Sequence, residues 1–302
     1  MPNRSDQWPA LDYVAERDAL QALHMRSQVV GKVKLALTEV APEWQNVPLW
    51  VNARGLTTGL LRDGETGFEI AFDLVAHRLV ISTTEGTVEE LDLAPCPLRE
   101  FTAQVMAALG RVGVSVRINP LTVEVPNPVR CDEYEGYDAY DGDVATRLFA
   151  ILAQTATILE EHRAHFWGKQ SGVGFYWGTF DLSLTRYNLV PVAPRDGMNV
   201  ISRVGGDSEQ VVVGFWPGNE RYPEPAFFAY TFPPPAGLDR ARIEPQIARW
   251  NPEMGEFLLD YEDVRASGDP REAILEFAHS TYAAGADLSR WDRGLLDRAP
   301  PM

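Results

Sequence analysis

Lysine is the scarcest charge in this chain. Among 27 basic side chains only three are lysines, Lys32, Lys34 and Lys169; the rest are arginines. A GC-rich coding bias produces such a ratio by itself. It also means that a retained lysine tends to stand where a compact ammonium serves and a rigid, permanently charged guanidinium does not. Cysteine is nearly absent as well. Cys96 and Cys131 are far apart and belong to no ligand or redox motif, so they read as reduced thiols of a cytoplasmic protein. No apolar run approaches the ~20 residues that span a bilayer. The start, MPNRSDQWPALDY, has no apolar core of a signal peptide. The net charge of −16 opposes nucleic-acid phosphate and anionic lipid as general partners. Also missing are the dinucleotide fingerprint, the phosphate-loop lysine, the nucleophile elbow and the HExxH zinc helix. Gly31-Lys32 is followed by valine, where a phosphate loop needs Ser or Thr.

What is present is the pattern of an α+β protein. A helix is expected near 12–27. VVGKVKLAL then alternates around Gly31 like a strand. PLWVNARGLTTG, GFEIAFDLV, HRLVIST and TVEELDLA read as an antiparallel meander turning at Asp63-Gly64 and Glu85-Gly86, with His77 on a further turn. PLREFTAQVMAALGRVG is a helix with proline in its first turn. SVRINP and TVEVPNP are short extended pieces. The acidic, tyrosine-bearing CDEYEGYDAYDGD then breaks the periodicity. It suggests a boundary: a first unit over 1–130, a linker over 131–142 and a second unit over 143–302, which could also form one compact domain. The second part opens with a helix from Asp143 to about His165. VVVGFWPG and PAFFAYTFP follow as strands, and a closing helix spans Pro270 to Leu288.

The order helix, Gly-Lys, strands, helix occurs twice. The fold expected is therefore two pseudo-repeated helix–antiparallel-sheet–helix units sharing an interface, the result of an internal duplication. A chance recurrence in an α+β chain is the plainer alternative. A duplication would bring both Gly-Lys segments to the interface, where small-molecule sites are common.

Several stretches together resemble one known family: LHMRSQVVGKVKLAL, ARGLTTG with FEIAFDLVAHRLVI, FWGK, YWGTFDLSLTRY, GFWPG, AFFAYTF and STYAAGADLSRWDR. The family is bacterial and catalogued as domain of unknown function 5996. The resemblance covers about Trp8 to Asp292. It implies a soluble single-chain protein, assigns no reaction and transfers no catalytic residue.

The residues therefore carry the functional reading. Lys32 and Lys169, next to glycine at the start of strands, would be partly desolvated. Burial depresses a lysine pKa, which suits Schiff-base or general-base work; a structural pairing with core carboxylates is the competing reading. His24 and His165, each at a helix end leading into a Gly-Lys segment, are candidate proton carriers, though a helix-ending histidine is often only a dipole partner. On FDLSLTR, Asp181 and Thr185 share a polar strand face with Ser183, while Arg186 shares the face of Leu182 and Leu184. Arg186 thus reads as a buried fork for an anion, with Arg54 a weaker counterpart. Trp177 belongs to an aromatic cluster that is either a ligand wall or a sheet core, and the glycine-flanked Trp216 reads as a displayed indole. The function expected is a site for an anionic or carbonyl small molecule between the halves, in enzymatic or binding use. Two alternatives stand: a non-catalytic binding or scaffold protein, and a metalloenzyme using His24, His165, His279 and Asp181. No cofactor is indicated, and homo-oligomerisation is left open.

Overall fold

The computed structural model describes residues 7–298. The chain is α+β and divides into two compact units. One comprises residues up to 41 with 45–153 and 175–181; the other comprises 42–44, 154–174 and 182 onward. The units divide elsewhere than at 131–142, which lies wholly inside the first unit. Cys131 and Tyr140, at either end of that acidic stretch, are buried in that unit's core.

In the first unit, helix α1 (Tyr13–Leu37) is opened by Asp12, whose carboxylate accepts from the backbone of Val14 and Ala15. It runs straight through VVGKVKLAL, where a strand is expected. The reason is burial: Met25 to Lys34 are buried without interruption. A helix enclosed on every side shows no polar stripe at the helical period, and its valines then look like a strand. Gly31, which costs about 1 kcal/mol in a helix, is required by packing. A Cβ there would lie 2.3 Å from the indole of Trp177.

The meander is as expected. β1 (Trp50–Val51), β2 (Gly55–Thr57), β3 (Leu61–Asp63), β4 (Thr66–Asp73), β5 (Arg78–Thr83) and β6 (Val88–Asp92) form an antiparallel sheet. Its order is β1-β2-β4-β5-β6, with β3 on β4. Phe68, Ile70 and Phe72 alternate inward along β4, the period-two signature of a half-covered sheet. Gly64 and Gly86 take the positive φ of the two turns, and His77 takes a third. Helix α2 (Leu98–Arg111) packs on α1 and β6. The two extended pieces after it form no strand; the chain around them closes on itself through a Leu121–Arg130 bridge and the bonds Thr122 N to Val129 O and Cys131 N to Pro120 O. Helix α3 (Gly142–Arg163) is capped by Asp141, which accepts from Asp143 and Val144; the cap expected at Asp143 lies two residues earlier. α3 passes from the first unit into the second. β7 (Gly174–Tyr176) lies mostly in the first unit, where Phe175 bridges Leu49.

The second unit contains β8 (Asp181–Pro191, from Leu182 on), helix α4 (Val200–Gly205), β9 (Ser208–Trp216), β10 (Ala226–Phe232), β11 (Arg249–Asn251) and β12 (Glu256–Asp260), then helices α5 (Tyr261–Ala266), α6 (Pro270–Leu288) and α7 (Arg293–Leu296). The strands pair antiparallel in the order β8-β9-β10-β12-β11. α6 begins and ends where expected, with Asp269 as cap and Pro270 in its first turn. It packs on β9 and β10. Gly285 allows the close approach: a Cβ there would meet Thr231 Oγ1 at 2.2 Å.

The duplication argument rested on equivalent Gly-Lys segments, and these are not equivalent locally. Lys32 is inside a helix. Lys169 lies in an irregular connection between the bridging residues Phe166 and Gln170.

Candidate functional sites

The first candidate is built on one stripe of α1. His24, Gln28 and Lys32 follow one another at helical spacing, so their side chains rise along one face. His24 Nε2 lies 3.1 Å from the carbonyl oxygen of Trp177 and 3.0 Å from that of Gly178. Two carbonyl acceptors require that Nε2 carry the proton. The ring stacks on Phe180 at 4.7 Å. Burial drives its pKa down to about 4, against the raising effect of the two carbonyls, so His24 is neutral at physiological pH and holds the 177–178 turn. Gln28 acts like a short strand. Its Oε1 accepts from Val123 N at 2.9 Å and its Nε2 donates to Val123 O at 2.8 Å. One amide side chain thereby fastens the 114–130 segment to the helix.

Lys32 is 4% exposed. No carboxylate or hydrogen-bond acceptor reaches its amine among the described residues; the indole of Trp177 faces it at 5.7 Å. Trp177 is itself pinned, donating from Nε1 to Val47 O at 2.9 Å. Burial lowers the Lys32 pKa, opposed weakly by Cys131. Lys34, two residues further, differs: it donates to Pro48 O at 2.5 Å, and burial lowers it to about 8.

Glu124, on an irregular segment without periodicity, completes this region. Its backbone is left-handed, with φ of 55°. Its carboxyl rests against Gly178, where a Cβ would lie 2.0 Å from Glu124 Oε2. The residue as a whole keeps an exposed surface, but the enclosure of its carboxyl, together with the Asp181 charge, raises the pKa to about 7. Asp181 is buried and accepts from Thr179 Oγ1. Lys32, Gln28, His24, Glu124 and Asp181 thus gather around the Trp177–Phe180 turn of the first unit.

Lys169, in the second unit, has a different setting. Its side chain is 45% exposed and its amine lies 3.3 Å from Glu43 Oε1, whose own side chain is 6% exposed. It is the structural pairing weighed against function, although its lysine is on the surface and not in the core. His165 is half-buried in the turn after α3. Its ring lies 5.4 Å from that of His279, which is 4.8 Å from that of His162. His162 is fully enclosed; burial and then the nearby Arg186 hold its pKa well below the ordinary value.

Arg186 is buried, as its strand face implies, but its partners are internal. It donates to His162 O and lies 4.3 Å from the Tyr282 ring and 5.0 Å from that of Phe166. Thr185 and Asp181 do not line an open cleft: every residue from Asp181 to Tyr187 is buried. Thr185 N donates to Ser171 Oγ and Thr185 O accepts from Ser171 N, both at 2.9 Å. Arg54 is an exposed partner of Asp73. Trp216 is not displayed. It ends β9 half-buried, stacked on Phe228 at 5.2 Å, because the strand continues through GFW before the glycine turn. Among the described residues, no three His, Cys, Asp or Glu are placed to hold a metal ion. His24 and Asp181 belong to the first unit; His165 and His279 belong to the second. No described helix is long and apolar enough to cross a membrane.

A family described as one of unknown function, DUF5996, matches residues 8–298. The chain belongs to DUF5996. The match takes in both units and every residue of the two lysine sites. No curated protein and no solved structure matches the chain, so this DUF5996 protein is read from its own side chains.

Proposed function

We propose that this DUF5996 protein binds a small carbonyl or carboxylate compound at the Lys32 amine, within its first unit, and that a carbonyl ligand reacts there. The observation that carries the reading is the amine itself. It is held in an almost buried side chain, and among the described residues an aromatic ring, that of Trp177, is what faces it. An ammonium left without a counter-ion favours its neutral, nucleophilic form. That form attacks a carbonyl carbon; the carbinolamine then loses water and leaves an imine on Nζ. Glu124, which rests against Gly178 with its pKa raised to about 7, is the candidate of this turn for giving and taking the proton this requires. A carboxylate ligand would instead pair with the protonated amine.

Reductive trapping tests this. Protein is incubated with a small aldehyde and cyanoborohydride at pH 7, and the adduct is located by peptide mass spectrometry. Lys32 is expected to carry the first adduct, and Lys32→Met to lose it while Lys169 labels unchanged. Modification confined to Lys169 and the chain terminus would overturn the proposal.

A further inference from the structure

We infer that Glu43 is the anionic half of a subsite for a primary ammonium ligand, and that the Lys169 amine occupies it in the ligand's place. This site lies within the second unit and is independent of Lys32.

The argument begins with an under-satisfied carboxylate. Glu43 is 8% exposed. One oxygen accepts a single long bond, 3.3 Å from Lys169 Nζ. The other, Oε2, is enclosed and has no partner. A buried carboxylate ordinarily fills several acceptor positions, since desolvating it otherwise costs several kcal/mol. The backbone that delivers it is also unusual. Glu43 and the following Trp44 both have positive φ, 50° and 56°. Non-glycine residues stay in that region only when their surroundings impose it. Here the Trp44 indole donates to Ile201 O at 2.9 Å, and the segment packs on α4. The fold therefore spends conformational energy to place a carboxylate that it then leaves half-bonded.

The opposite wall suits a cation as well. The buried Tyr187 ring lies 5.8 Å from the Lys169 amine, so a carboxylate and an aromatic face flank one ammonium position. The present occupant is the end of a flexible side chain, 45% exposed, bound through one hydrogen bond. Such a side chain, held by that one bond at its tip, can swing out to solvent and leave the position to another ammonium. A free ligand ammonium carries the same three donors as the Lys169 amine and can approach Glu43 Oε1 without the constraint of the lysine stem.

The test is thermal unfolding with ethylammonium chloride as probe, against sodium chloride at equal ionic strength. Wild-type protein is expected to gain a saturable rise in Tm of roughly 3 °C at high occupancy. Lys169→Met should respond at lower ethylammonium concentration, since the competing amine is gone. Glu43→Gln should not respond; if that variant fails to fold, Glu43→Asp, which withdraws the carboxylate, should respond more weakly than wild type. Three results would overturn the inference: no saturable response in wild type, a response retained in Glu43→Gln, or a response confined to Lys169→Met. The last would mark the pair as a plain salt bridge.

Discussion

Lys32 and Lys169 each follow a glycine, and the two dipeptides read alike in sequence. In the fold they are opposites. Lys32 stands on the buried half of α1, packed on an indole, with no counter-ion among the described residues. Lys169 stands on an irregular surface connection, and its carboxylate partner is more buried than it is. The two glycines differ in the same way. Gly31 admits a ring pinned by its own hydrogen bond, whereas the neighbours of Gly168 are the side chains of Phe166 and Leu296. The difference shows that placement relative to charge, more than the dipeptide, decides what a lysine does. An amine without a counter-ion has its chemistry shifted; an amine with one is a point charge on a tether.

The largest expected effect separates the glycines. Gly31→Ala drives a methyl into the fixed indole of Trp177 and should cost about 3 kcal/mol, the upper end for overpacking. Gly168→Ala would bring a methyl to 2.6 Å from the buried Phe166 ring, but on an irregular connection that can shift, and should cost less, about 1–2 kcal/mol. Urea denaturation of both variants measures the contrast, and equal losses would break it.

Next is the acid side of the Lys32 region. His24 has a folded pKa of about 4 against about 6.5 unfolded. Between those values the unfolded chain binds more protons, so stability is complete above pH 6.5 and falls as pH drops towards 4. The loss should reach roughly 2–3 kcal/mol, with His162 and His279 adding in the same direction from the second unit. His24→Gln should flatten its own share of that slope in unfolding measured from pH 4 to 7. An unchanged slope would mean that His24 is not held neutral.

Removing each lysine's charge should then have contrasting effects. Lys169→Met leaves the Glu43 carboxylate enclosed without a donor, and should cost roughly 1–2 kcal/mol. Lys32→Met removes a charge that no partner compensates and keeps the apolar stem, so its stability should stay within about 0.5 kcal/mol of wild type. Denaturation midpoints of the two variants sharpen the comparison directly. A heavy loss for Lys32→Met would assign that amine a structural partner.

Much of this molecule was legible from its residues, and the failures share a cause. The meander was readable because one sheet face is covered, which gives Phe68, Ile70 and Phe72 their alternation. Helix α6 was readable because Asp269, Pro270 and its apolar face agree. The burial of Arg186 followed from its sharing a strand face with two leucines. The second half of α1 was not readable, since complete burial erases the helical period on which such a reading depends. Glu43, Gln28 and Glu124 were missed for a related reason. They act from irregular segments or through one backbone contact, and neither leaves a periodic trace. Trp216 misled because flanking glycines look like a loop, although the strand continues through Gly214 to Trp216 and turns only afterwards.

The central claim is that the Lys32 amine is held away from its ordinary charge state. With only three lysines in the chain, reductive ¹³C-methylation followed by NMR titration resolves each amine, and Lys32→Met assigns its signal. The account predicts that the Lys32 resonance titrates clearly below the unperturbed lysine value of about 10.4. A Lys32 signal titrating at or above that value would contradict it.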